Sequence, residues 1–106
     1  MKIGIIIETN EPEKVWNGLR FANTALNEGH EVKLFLVSAG VEIERISDTK
    51  FKVQQQLIAF ADRKGTIMAC GTCLENRNMT VSDIISVSTM IDCVNIVKWA
   101  DKTVTF

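Results

Sequence analysis

The sequence predicts a three-layer α/β/α domain with a mostly parallel sheet of about five strands and Rossmann-like connectivity. Three observations predict it. The runs Lys2–Glu8, Val32–Val37 and Thr66–Ala69 are apolar along most of their length, as strands covered on both faces are. Between them lie segments whose apolar residues recur at helical spacing. Glycine, asparagine or proline stands at most of the junctions, where the chain must stop one element and turn into the next. Strands that alternate with helices pair in parallel through right-handed crossovers.

The elements follow in order. After the first strand, Asn10 is placed to cap a helix with Pro12 in its first turn and Glu13 three positions on. Val15, Leu19, Ala22 and Leu26 give that helix one buried face, and Gly29 stops it. Ser38-Ala39-Gly40 breaks the second strand, and a loop containing the polar cluster Glu42-Ile43-Glu44-Arg45 runs to about Thr49. Phe51, Gln54, Leu57, Ile58 and Ala61 mark a second helix ended by Gly65. Cys73–Asn78 reads as a short helix after the third strand, closed by Asn78 in the left-handed conformation. Ile84–Val87 is a fourth strand, and Ser88 or Thr89 caps a last helix with Ile91, Val94, Val97 and Lys98 near one face. Lys102–Phe106 completes the sheet.

Composition bounds the function. The chain has 106 residues, the size of one domain (1–106) able to hold a core without staples. Its net charge of −1 and scattered basic residues give no footprint for nucleic acid or an anionic membrane. The run Ile3–Ile7 is too short for a signal sequence and no segment reaches transmembrane length, so the chain reads as cytoplasmic. Three cysteines are an odd number, and two of them form the CxxC Cys70-Gly71-Thr72-Cys73. In a reducing compartment such a pair is reactive or metal-binding rather than part of a disulfide framework.

That CxxC ends the third strand, and ligand chemistry in open α/β sheets gathers at the carboxyl ends of strands. Three loops meet there: Glu8-Thr9-Asn10, Ser38-Ala39-Gly40-Val41 and the CxxC itself. Four readings compete. Cys70 is a nucleophile that accepts sulfane sulfur as a persulfide, with amides around Gly71 and Thr72 favouring its thiolate. Alternatively, Cys70 and Cys73 cycle through a disulfide, although the sequence has no proline after Pro12 to face a thioredoxin-type pair. A structural zinc needs four ligands, and beyond the pair only Cys93 and His30 are soft donors, so no metal is expected. Inert packing is the fourth reading, and it is the one that suits Cys93, midway along an amphipathic helix.

The chain resembles the DsrE/DsrF-like family, which includes the TusD-type sulfur-relay subunits. The resemblance runs through Leu19-Arg20-Phe21-Ala22-Asn23, Gly29-His30-Glu31-Val32, Phe35-Leu36 and Gly40-Val41. It continues through Ala69-Cys70-Gly71-Thr72-Cys73-Leu74, Arg77 and Asn78 to Trp99-Ala100-Asp101-Lys102-Thr103-Val104-Thr105-Phe106. It implies a parallel α/β fold and a cysteine, Cys70 by position, that takes sulfur from a donor protein and passes it to an acceptor protein. It also implies assembly, as a homo-oligomer (trimer or hexamer) or a hetero-oligomer with paralogues, and no cofactor. Cys73 has no constant counterpart in the family and stands as a second-thiol candidate. Asn78 takes a place where the family often has glycine.

Around Cys70, the expected site-lining residues are Thr9, Asn10, Gly40, Gly71, Thr72 and Arg77. Arg77, a helical turn or two beyond Cys70, is either a solvated helix-end arginine or a holder of an anionic persulfide. His30 is the single histidine and falls at the far end of the sheet, in a structural role. Trp16 and Trp99 read as core or subunit contacts. A non-catalytic oligomeric binding module using the same loops is the alternative to the sulfur carrier.

Overall fold

The computed structural model describes all residues from Met1 to Phe106. Its elements are β1 (Lys2–Ile7), α1 (Pro12–Asn27), β2 (Glu31–Leu36), a 3-10 helix (Ser38–Arg45), α2 (Val53–Asp62), β3 (Thr66–Cys70), α3 (Gly71–Glu75), β4 (Ser86–Ser88), α4 (Met90–Trp99) and β5 (Lys102–Thr105). The five strands form one sheet in the order β4-β3-β2-β1-β5, and every pairing is parallel. The chain steps outward from β1 to β4, then returns across the sheet to place β5 on the other side of β1. This is the expected α/β architecture.

Side-chain alternation assigns the two faces. Ile3, Ile5 and Ile7 pair in register with Val32, Leu34 and Leu36, and Leu34 and Leu36 with Ile67 and Ala69. These buried residues make one apolar face. Helices α1 and α2 pack side by side, tied by Asn23 Nδ2 donating to the Gln56 carbonyl at 3.0 Å and Arg63 Nη1 to the Asn23 carbonyl at 3.2 Å. The opposite face carries Gly4, Ile6, Phe35, Met68 and Cys70 by the same register, and α4 lies across it. Gly4 is required there, because a Cβ would come within 2.9 Å of Ile96 Cγ2. Cys93 and Ile96 are the buried residues of α4.

Several expectations need correction. Pro12 occupies the first turn as expected, but the cap is Glu11, whose carboxylate accepts the Glu13 and Lys14 N–H groups at 3.3 and 2.9 Å. Asn10 therefore lies one residue too early, and its amide is free to reach elsewhere. The segment from Ser38 to Arg45 is a 3-10 helix rather than a loop. Its buried Val41 and Ile43 fasten it to the core. In α2 the buried residues are Val53, Leu57 and Phe60, whereas Ile58 is exposed. The left-handed residue after α2 is Lys64 (φ 58), not Gly65, whose missing Cβ leaves room for the Phe60 ring. Gly29 (φ 88) and Asn78 (φ 50) do take the left-handed conformation expected of them.

The C-terminal half shifts by a residue or more. Strand β3 includes Cys70, α3 spans Gly71 to Glu75, and β4 begins at Ser86. Thr89 caps α4, its N–H donating to the Asp92 carboxylate at 3.1 Å. The face of Ile91, Val94 and Val97 is turned to solvent, at 72, 53 and 47% exposure. Apolar residues line two sides of this helix, and periodicity alone does not choose between them. No helix is long and apolar enough to cross a membrane.

Candidate functional site

The carboxyl ends of β1, β2 and β3 meet on one edge of the domain, and their loops are stitched together there. The Val37 N–H donates to the Ile7 carbonyl at 3.0 Å, carrying β2 one residue past its pairing with β1. Because Val37 is still extended, the next N–H, that of Ser38, points to the opposite side, and Ser38 then enters the left-handed region (φ 53). That N–H points at Cys73 Sγ, 3.2 Å away. Gly40 makes the turn feasible: it lies directly under the Ile7 carbonyl, where a Cβ would fall 2.0 Å from the oxygen.

Cys70 ends β3 and is the residue before α3, so it stands in N-cap position, yet its side chain caps no helix amide. Its exposure is 5%. Alternation turns it to the face covered by α4, beside Cys93. Cys73 lies one helical turn further on and is only half-buried. The amide donor expected at Cys70 is thus found at Cys73, and it comes from the β2 loop rather than from Gly71 or Thr72.

The electrostatics of the pair are mixed. Burial pushes the Cys73 thiol above its ordinary value, the Ser38 N–H and Arg77 pull it back, and the neighbouring Cys70 adds to the rise. The Cys93 thiol is also raised, chiefly by burial. Cys93 is a packed core thiol, as its helical position suggested.

Around the thiols, the structure unites some of the expected residues and separates others. Arg77 Nε donates to Glu42 Oε2 at 2.9 Å, and Arg77 Nη1 to the Cys73 carbonyl at 3.2 Å. Asn10 Nδ2 reaches the other oxygen of Glu42 at 3.4 Å. Arg77 is therefore neither a freely solvated arginine nor an unpaired cation. It links α3 to the 3-10 helix, and its guanidinium holds the Glu42 carboxyl below the usual range. Thr9 turns back on its own loop, its hydroxyl oxygen accepting the Glu11 N–H at 3.1 Å. Thr72 is exposed, and Gly71 packs against Ser88 and Val87 of β4. Gly40 is a buried packing position.

Two residues of this cluster, Ser38 in a loop at the strand ends and Glu42 in a polar cluster, were not among the expected site residues. Ser38 had a weak signal, standing directly between the strand and Gly40. Glu42 had a clearer one, since it shares a side of the 3-10 helix three residues from Arg45 while the apolar Val41 and Ile43 turn inward. Glu44 adds a second tie, accepting the Ser82 N–H at 2.9 Å and bonding the Ser82 hydroxyl. His30 sits at the amino ends of the strands, its Nδ1 2.7 Å from the Met1 amino group. Trp16 stacks beneath Arg20 (4.3 Å) and beside Phe51, and Trp99 lies under Lys33 (4.4 Å). The clefts of the chain, of about 220 to 290 Å³, are lined by no cysteine.

Both the sequence and the fold have known counterparts. The pattern of the DsrE/DsrF-like family matches residues 1–106. The chain belongs to the DsrE/DsrF-like family. An uncharacterized protein of Methanocaldococcus jannaschii is 36% identical over 115 residues, covering 100% of both chains. An uncharacterized protein of Methanopyrus kandleri is 35% identical over 100 residues, 89% of this chain and 83% of the relative. The crystal structure of the ychN protein from E. coli superposes with a TM-score of 0.85 over 100% of both chains at 24% identity, a likeness of fold.

Proposed function

We propose that this DsrE/DsrF-like chain is a sulfur carrier that takes sulfane sulfur as a persulfide on its CxxC and hands it to a partner protein. Cys70 is the carrying thiol in this reading, with Cys73 as second thiol and Arg77, Asn10, Thr9, Gly40, Gly71 and Thr72 forming the surround. The observation that carries it is the Ser38 N–H on Cys73 Sγ, a backbone donor held on a sulfur at the edge where parallel α/β sheets place chemistry.

The reaction is a sulfur exchange without net oxidation. A carrier thiolate attacks the outer sulfur of a donor persulfide; the new S–S bond forms as the donor's breaks, and the donor leaves as a thiolate. Repetition by an acceptor thiolate unloads the carrier. A hand-off between proteins needs no enclosed pocket, which agrees with cysteine-free clefts. It does need docking surfaces. Ile84, Val87, Met90, Ile91, Val94 and Val97 are all exposed along β4 and α4, and so large an apolar strip supports assembly, with further copies of the chain or with paralogues.

The test is to incubate reduced protein with a persulfide donor and locate added sulfur by mass spectrometry. Sulfur on the CxxC is expected; its absence from both thiols with a competent donor contradicts the reading. A non-catalytic binding module is the second reading, and the 5% exposure of Cys70 favours it. It requires function to survive the double variant Cys70→Ala, Cys73→Ala, which the carrier reading forbids.

A further inference from the structure

The two thiols of the CxxC differ in a way that sequence spacing does not reveal. Cys73 is half-buried at the loop edge with a backbone N–H on its sulfur, 3.2 Å away. Cys70 is 5% exposed and turned beneath α4. A protein thiol cannot readily bring its own sulfur to Cys70, whereas Cys73 lies adjacent to both solvent and Cys70. Resting on the carrier reading, we propose that Cys73 is the receiving and delivering thiol and Cys70 a sheltered store, with sulfane sulfur moving between them inside the chain.

The bonds balance. Cys73 thiolate attacks the outer sulfur of the donor persulfide, forming Cys73 Sγ–S while the donor S–S breaks and the donor leaves as thiolate. Cys70 thiolate then attacks that same outer sulfur, forming Cys70 Sγ–S as Cys73 Sγ–S breaks. Cys73 departs as a thiolate whose charge the Ser38 N–H accommodates. The outer sulfur keeps its own proton, the negative charge passes from Cys70 to Cys73, and no electrons enter or leave. Delivery reverses the second step. Because the stored persulfide is buried, cellular thiols reach it slowly, which is the benefit of holding it on Cys70 rather than Cys73.

The test uses the full chain with glutathione persulfide as donor and site-resolved mass spectrometry after rapid alkylation. In the wild type, sulfur is expected on Cys73 first and on Cys70 later. In Cys73→Ser, loading of Cys70 should slow about tenfold or more, because the buried thiol loses its access route. In Cys70→Ser, and in Cys70→Ala as a second variant, Cys73 should load at least as fast as in the wild type, since Cys70 opposes its thiolate. Its sulfur should then be lost to added glutathione several-fold faster. Sulfur appearing on Cys70 first, or at an unchanged rate in Cys73→Ser, overturns the order while leaving the carrier reading standing. A Cys70–Cys73 disulfide with release of sulfide overturns storage, since it means that Cys70 attacks the inner sulfur. No sulfur on either wild-type thiol overturns both.

Discussion

Gly40→Ala probes the joint on which the candidate site is built. The added Cβ would stand 2.0 Å from the Ile7 carbonyl oxygen and 2.8 Å from its carbon, both backbone atoms that no rotamer change can move aside. Opening the contact to 3.0 Å means a shift of about 1 Å between the end of β1 and the start of the 3-10 helix. That oxygen also accepts the Val37 N–H at 3.0 Å, so the shift weakens a buried hydrogen bond worth about 1 kcal/mol net. Overpacking of this kind adds about 1–3 kcal/mol, for a total of about 2–4 kcal/mol. Against a urea dependence of about 2 kcal/mol per molar, the unfolding midpoint should fall by about 1–2 M. Gly71→Ala is the matched control: its nearest neighbours, at 3.3 Å, include the movable Val87 Cγ1, and alanine favours the helix it begins. A change of under about 0.5 kcal/mol is expected there. The same displacement in Gly40→Ala should draw the Ser38 N–H off Cys73 and slow its alkylation at neutral pH. If Gly40→Ala unfolds within about 0.5 kcal/mol of the wild type, the steric reasoning fails.

Three other outcomes follow from the same geometry. The Glu42 carboxyl is held below 4.5 by Arg77, so its contribution is present above that pH and is lost as pH falls through the lowered folded value. Glu42→Gln should therefore cost less than about 1 kcal/mol at pH 7, since the pair is partly exposed, and the difference from wild type should vanish in acid unfolding curves. A gap that persists or widens in acid would contradict the ion pair. For the Cys73 thiol, alkylation rate against pH should place Arg77→Gln above the wild type and Cys70→Ala below it, because Arg77 favours the thiolate and Cys70 opposes it. Shifts of the opposite sign refute that assignment. Val94→Glu puts a charge on the exposed strip of α4 at a residue 53% open. On the proposed assembly, analytical ultracentrifugation should find a smaller species, with an unfolding midpoint lowered by the share that association supplies, and an unchanged mass would remove α4 from any interface.

The fold was legible where chemistry left one solution. Ile3, Ile5 and Ile7 with Val32, Leu34 and Leu36 form runs that only a doubly covered parallel sheet can bury, and the alternation with helices orders them. Proline at the start of α1 and the left-handed Gly29 and Asn78 fixed element ends for local reasons. What stayed hidden depends on contacts distant in sequence. The inward side of α4 is chosen by the gap over Gly4 that Ile96 fills, and no periodicity within α4 encodes that gap. The 3-10 helix looked polar because its buried residues, Val41 and Ile43, are interleaved with Glu42 and Glu44.

At the site, spacing alone placed the CxxC at a strand end, and the structure agrees. It did not distinguish the two sulfurs. Which one is sheltered is set by strand alternation, which sends Cys70 under α4, and which one receives an amide is set by the extended Val37, which points its own N–H at Ile7 and the Ser38 N–H at Cys73. The bridge from Asn10 through Glu42 to Arg77 joins residues 32 and 35 positions apart, beyond the reach of any local motif.

The most direct measurement is the cyanide-releasable sulfur held by desalted protein after exposure to a persulfide donor, compared with a Cys70→Ala, Cys73→Ala double variant of verified fold. The carrier account expects about one sulfane sulfur per wild-type chain and none on the variant. Equal sulfur on both proteins, or none on the wild type, would contradict it.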